Sequence, residues 1–136
     1  MENENEKVEE IVVSFDNAEI GEDVPQIKPG TGKVISYRID DIIDKTNKAI
    51  GKKLVLIVKQ NNYDKEIEIS GVQYVKDKKI KTSGLWLKLD EDGKLPFNMG
   101  VSIMLRHLNI TAIKDIVGKD IMTATNEGGY LVVKAI

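Results

Sequence analysis

Lys53-Leu54-Val55-Leu56-Ile57-Val58-Lys59 is followed by the cluster Gln60-Asn61-Asn62-Tyr63-Asp64 and then by Glu66-Ile67-Glu68-Ile69-Ser70. A β-branched run bounded by lysines, a group of turn-forming residues and a clean apolar–polar alternation read together as two strands joined by a hairpin. The same period-2 signal extends outward on both sides. Upstream, Val34-Ile35-Ser36-Tyr37-Arg38-Ile39-Asp40 puts Ile35, Tyr37 and Ile39 on one face and Ser36, Arg38 and Asp40 on the other. A polar connection, 44–51, joins it to the central run. Downstream come Val72-Gln73-Tyr74-Val75, the lysine-rich turn Lys76-Asp77-Lys78-Lys79, and Ser83-Gly84-Leu85-Trp86-Leu87-Lys88-Leu89. In the last stretch Leu85, Leu87 and Leu89 are expected to face inward, which sends Gly84, Trp86 and Lys88 outward. The region 65–89 reads either as one long bent third strand or as a strand with an extra hairpin.

The alternation then breaks. Asp90-Glu91-Asp92-Gly93-Lys94-Leu95-Pro96 is a loop, and Val101, Met104, Leu105 and Leu108 recur at helical spacing, with Asn98 as the expected cap of a helix running through His107. Thr111 offers a second cap, for a short helical turn ending at Gly118. Two closing strands, 120–125 and 130–136, are joined by the turn Asn126-Glu127-Gly128-Gly129. Nothing repeats in the manner of strand–helix–strand units. The expected fold is mainly β: an OB-fold-like, partly open barrel of five to six strands, with one helix and a short second helical turn between strands 3 and 4. An SH3-like barrel, the main competitor, lacks a helix of this length at this point.

The chain has 136 residues, no cysteine and seven aromatics. That length suits one domain with a buried core of its own. Without cysteine there are no disulfides, thiolate metal sites or cysteine nucleophiles. The apolar runs, roughly six residues at most, fall far short of the ~20 of a membrane-spanning helix. The acidic opening MENENEKVEE does not read as a secretory signal. A cytoplasmic protein without membrane contact is expected. Residues 1–28 hold nine acidic residues against Lys7 and Lys28, while the remainder holds eighteen basic and thirteen acidic. The net charge of -2 therefore hides an acidic arm on a mildly basic domain. Two prolines and two glycines between Pro25 and Gly32 set the boundary, giving an arm and linker at 1–31 and a barrel domain at 32–136. Disorder is expected for residues 1–10, whereas the apolar patch Ile11, Val12, Val13 and Phe15 reads as an added edge strand or a docking peptide.

With the strands placed, the stretch from Gly32 to Ile136 resembles small OB-fold proteins of phages, archaeal viruses and mobile elements. The resemblance lies in Gly32-Lys33-Val34, in Gly51-Lys52-Lys53-Leu54-Val55-Leu56, and in the helix with Leu105 and Leu108. It continues in Ile113-Lys114-Asp115-Ile116-Val117-Gly118-Lys119 and Glu127-Gly128-Gly129-Tyr130-Leu131. These are architectural motifs, reporting strand starts, a helix stop and a turn, and the acidic arm has no counterpart among them. The resemblance implies an OB-fold and a role with single-stranded nucleic acid; fold alone does not fix function.

Single strands are held by a basic groove together with outward aromatics on which bases stack. Trp86 is the first candidate, with Lys88 two residues on along the same face. If Val72 and Tyr74 face outward, Tyr74 and Lys76 join them, and Tyr130 with Lys134 repeats the spacing on the last strand. Lys76, Lys78, Lys79 and Lys81 would form a phosphate-tracking loop or simply a solvated hairpin tip. Elsewhere the chemistry is thin. His107 is the only histidine, no G-x-S-x-G elbow occurs, and Asp90-Glu91-Asp92-Gly93 lacks the glutamate a calcium loop needs, since Val101 stands twelfth. Pro29-Gly30-Thr31-Gly32-Lys33 is not a phosphate loop, because Ile27 occupies the place of its first glycine and a strand follows. The carboxylate pairs Asp40-Asp41 and Glu66/Glu68 have no second chemical element beside them. The expected function is therefore a non-catalytic module without cofactor or metal, binding single-stranded DNA or RNA with little sequence preference. The alternative is a protein-interaction or assembly module, with a protein partner or a second copy of the chain, using Trp86 and the arm.

Overall fold

The computed structural model describes residues 27–136. The expectations for residues 1–26, disorder in the first ten and an added strand or docking peptide at 11–15, lie outside the described residues. The long run 49–60 forms β2 (Ala49–Gln60), which pairs antiparallel with β1 (Thr31–Ile43) on one side and with β3 (Glu66–Ile69) on the other. β1 also pairs antiparallel with β7 (Asp120–Thr125), and β7 with β8 (Leu131–Lys134). β8 runs parallel to β4 (Gly71–Lys76), whose antiparallel partner is β5 (Lys79–Gly84). The order is β3-β2-β1-β7-β8-β4-β5, with the two-residue β6 (Trp86–Leu87) attached to β2.

Only Ser70 separates β3 from β4, so residues 66–76 are one bent strand that meets β2 at one end and β8 at the other. Leu85 secures the bend: its N–H donates to the Ser70 carbonyl, and its own carbonyl accepts from the Leu54 N–H, both at 2.8 Å. Both readings of the region 65–89 are thus realised together, a bent third strand and an extra hairpin. The described residues form eight strands rather than the expected five to six, because the bend divides the third strand and the chain doubles back through β5 and β6. The described residues are mainly β, a partly open sheet with one α-helix.

The core is drawn from the inward positions of these strands, among them Val34, Leu54, Leu56, Val58, Ile69, Val72 and Val133, closed by Leu85, Val101, Met104 and Ile116. Of Ile35, Tyr37 and Ile39, grouped on one face by the alternation, Tyr37 packs on this core while Ile35 and Ile39 are exposed. Val34 opposes Val58 but Ser36 opposes Ile57, so Ile35 is an unpaired bulge residue. An inserted residue flips the phase of the alternation, and that lets both Val34 and Tyr37 point inward. Leu89 is exposed as well, because strand pairing ends at Leu87.

Helix α1 (Gly100–His107) lies between β6 and β7 and buries Val101, Ser102, Met104 and Leu105. Asn98 does not cap it; Met99 holds the cap position without a side-chain bond, and Ser102 Oγ donates to the Pro96 carbonyl at 2.6 Å. At the other end Asn109 adopts φ 59°, its N–H donating to the Arg106 carbonyl and the Ile110 N–H donating to that of Leu105. This is a Schellman stop with asparagine in the place glycine usually takes. The second helical turn is a 3-10 turn at Ile113–Ile116, preceded by Ala112 rather than by Thr111 as its cap. No helix among the described residues is long and apolar enough to cross a membrane.

Candidate ligand groove

The β4–β5 hairpin decides what faces the groove. Its two turn residues, Asp77 and Lys78, both have positive φ, 53° and 63°, the geometry of a tight primed turn. Residues directly opposite in an antiparallel pair share a face. Gly71/Gly84, Gln73/Thr82 and Val75/Ile80 therefore lie on one side, and Val72/Ser83, Tyr74/Lys81 and Lys76/Lys79 on the other. The second side turns to the interior, where Val72 is fully buried and Tyr74 packs on the core. The first side borders a groove of 680 Å³ whose walls include Gly71, Ile80, Thr82 and Gly84 from the hairpin, and Lys53 and Glu68 from β2 and β3. Its remaining wall is the β7–β8 connection. There Asn126 Oδ1 accepts the Tyr130 N–H at 2.9 Å and Gly129 takes φ 83°, leaving Tyr130 73% exposed at the rim.

Trp86 adjoins the groove through two of its lining residues. It stands opposite Lys53 in the β2–β6 register, and the Lys53 ammonium lies 5.1 Å from the centre of its ring. This is within cation–π range, worth about 0.5–1 kcal/mol at an exposed site. Gly84 makes the arrangement possible: a Cβ there would come within 2.8 Å of Lys53 Cε and 2.9 Å of Trp86 Nε1. The indole remains 39% exposed.

Glu68 does not offer the groove a free carboxylate. Arg38 grips it in a bidentate pair, with guanidinium N–H groups donating at 2.8 and 2.9 Å, while Arg38 Nε donates to Asp40 at 2.9 and 3.1 Å. The hydrogen bonds from Arg38 hold the Glu68 carboxyl below its ordinary range, with charge attraction adding to them. Val55, the register partner of Arg38, is buried although it belongs to the outer face of β2.

The six expected site residues thus separate. Trp86 adjoins the groove, Tyr130 lines it, and Lys88 is exposed two residues beyond Trp86. Tyr74 is not an outward platform, because Val72 and Tyr74 face inward; Lys76 is exposed but lies on the hairpin face turned away from the groove. Lys134 is half-buried and pairs with Gln73 in the β4–β8 ladder, while Tyr130 precedes β8, so the two do not form one stripe. Lys78, Lys79 and Lys81 are exposed on the hairpin. Lys53 and Gly84 were missed, since only strand register brings them to Trp86. The acidic loop 90–94 is a turn: Asp90 Oδ1 accepts the N–H groups of Asp92 and Lys94, each at 2.9 Å. Compared with known protein families, with curated proteins and with solved structures, the chain matches none.

Proposed function

We propose that the chain is a non-catalytic OB-fold module that binds single-stranded DNA or RNA with little sequence preference in this groove. Three features of the topology support the fold reading: β1 lies between β2 and β7, the bent third strand runs parallel to β8, and a helix stands between that strand and β7. The observation that carries the function is the pair of accessible aromatics, Trp86 and Tyr130, at a groove with the Lys53 ammonium beside the indole. Bases stack on such rings irrespective of sequence, at about 1–3 kcal/mol per base. Lys53 and Lys88 supply point charges for phosphates; Tyr74, Lys76 and Lys134 have no part in the platform.

The groove is not strongly basic. Its lining includes Glu127 as well as Lys53, and Glu68 is already neutralised by Arg38. Stacking, rather than counterion release, then supplies most of the affinity. Titration with oligo-dT should quench Trp86 fluorescence with a shallow salt dependence, a log–log slope of about -0.7 for each phosphate contacted. Trp86→Ala should weaken binding roughly tenfold to a hundredfold. Absence of quenching and of binding at low ionic strength would refute the reading. A second reading, a protein-interaction or assembly module, draws on the exposed apolar side chains Val75 and Ile80 of the β4–β5 hairpin.

A further inference from the structure

Opposite residues of an antiparallel pair share a face, so Asp40, Lys53 and Trp86 form one row across β1, β2 and β6. Arg38 and Val55 form the next row on that face, about 7 Å further along the strands. Ile57 and Glu68 form the row after it, on β2 and β3. β1 occupies one edge of β2 throughout, so β3 and β6 share the other. To reach Glu68 from β1, the Arg38 side chain must lie across β2, over Val55. That accounts for a valine 7% exposed on an outer face. The guanidinium thus ends on the edge of β2 that also carries Trp86, against Glu68, which lines the groove with Lys53.

Arginine recognises phosphate through the N–H groups in its plane. In Arg38 these are committed: both terminal nitrogens donate to Glu68, and Nε donates to Asp40. Two carboxylates also carry one more charge than the guanidinium, so this point repels a phosphate. The flat faces are a different matter. One is turned to Val55, yet the side chain keeps 45% of its surface exposed. A planar cation held at both ends stacks on an aromatic ring with little further ordering cost. We infer that Arg38 is a third stacking position of the groove, its outward face receiving a nucleobase beside the one on Trp86. Asp40 and Glu68 are positioning residues that fix its plane and turn the sugar–phosphate backbone away. The inference rests on the reading of the groove as a single-strand site, and it extends the platform from Tyr130 and Trp86 to Arg38. It adds no base selectivity, because every base has a π-face.

Arg38 and Arg106 are the two arginines of the chain, so loss of a signal in Arg38→Lys assigns their Nε–H protons. Saturation with oligo-dA, whose purines carry strong ring currents, should move the Arg38 Nε–H signal upfield and leave that of Arg106, on α1, in place. In oligo-dT titrations followed by Trp86 quenching, Arg38→Lys keeps the charge and loses the plane. It should bind roughly threefold to thirtyfold more weakly at an unchanged salt slope. Quenching of Trp86 without the upfield shift would overturn the inference and leave the groove reading standing. So would wild-type affinity in Arg38→Lys; a flatter salt slope in Arg38→Ala would then mark a phosphate contact instead. No binding by the wild type at low ionic strength removes the groove reading, and this inference with it.

Discussion

At the scale of single residues, Gln60 and Thr123 form a buried polar cluster with every partner in place. Gln60 is fully buried; its Nε2 donates to the Lys28 carbonyl at 3.0 Å and its Oε1 accepts from the Thr123 hydroxyl. Thr123 Oγ1 also accepts the Gly30 N–H at 2.9 Å, so the cluster fastens residues 28–30, a Pro–Gly stretch read as linker, to the ends of β2 and β7. Removing one partner from such a group exposes the others to an unpaired, dry environment. Thr123→Val should lower unfolding free energy by about 1–3 kcal/mol, read from the urea midpoint at unchanged slope. Near the groove, Gly84→Ala should push Lys53 and Trp86 aside. The expected readout is a red-shifted Trp86 emission and stronger quenching by acrylamide; an unchanged spectrum would show that Gly84 does not seat the indole.

At the scale of elements, the β4–β5 hairpin concentrates the local strain and the tight approaches. Lys78 sits at φ 63°, a conformation that disfavours any residue with a Cβ. Lys78→Gly should therefore raise stability by up to about 1 kcal/mol, measured as a higher thermal midpoint. Gly71 is the opposite case. A Cβ there would lie 2.8 Å from Val132 Cγ1 and 3.3 Å from the Ser83 carbonyl oxygen, which cannot both yield. Gly71→Ala should destabilise by about 1–3 kcal/mol. Most elements were legible from periodicity: β2, β3, β7, the helix and the closing hairpin fall where apolar spacing puts them. What escaped were features with no periodic signature. The bulge at Ile35 inverts the phase of β1, and the helix stops on Asn109, a residue that takes the left-handed conformation without announcing it as glycine would.

At the scale of the whole molecule, hydrogen-bonded carboxylates tie the sheet together both across strands and within a connection. Arg38 meets Glu68 across β1, β2 and β3, and Asp44 closes the β1–β2 connection, its carboxylate accepting from the Thr46 hydroxyl and from the Lys48 N–H. Hydrogen bonding lowers the pKa of both carboxyls, from ordinary values of 4.5 for Glu68 and 3.8 for Asp44. A carboxyl whose folded pKa is depressed lends stability that is complete above its unfolded pKa and is lost as pH falls through the folded one. Thermal stability should hold above about pH 5 and decline below about pH 4. In Glu68→Gln the acid-side decline should be shallower; an identical pH profile would show that the exposed pair contributes nothing measurable.

The sequence by itself determined the mainly β character, the helix before the last two strands, and the split between acidic arm and basic domain, because periodicity, turn chemistry and charge are local properties. It also marked Trp86, which the flanking leucines assign outward. Only the tertiary structure decided which residues accompany it. Tyr74 and Lys76 share a strand that looks equally able to face either way, and the packing of Val72 on the core turned that strand's aromatic inward. Lys53 and Gly84 came to Trp86 through the pairing of β2 with β6, and Arg38 came to Glu68 through the pairing of three strands. Register is fixed by burial on one face of a sheet, and burial depends on elements remote in the chain.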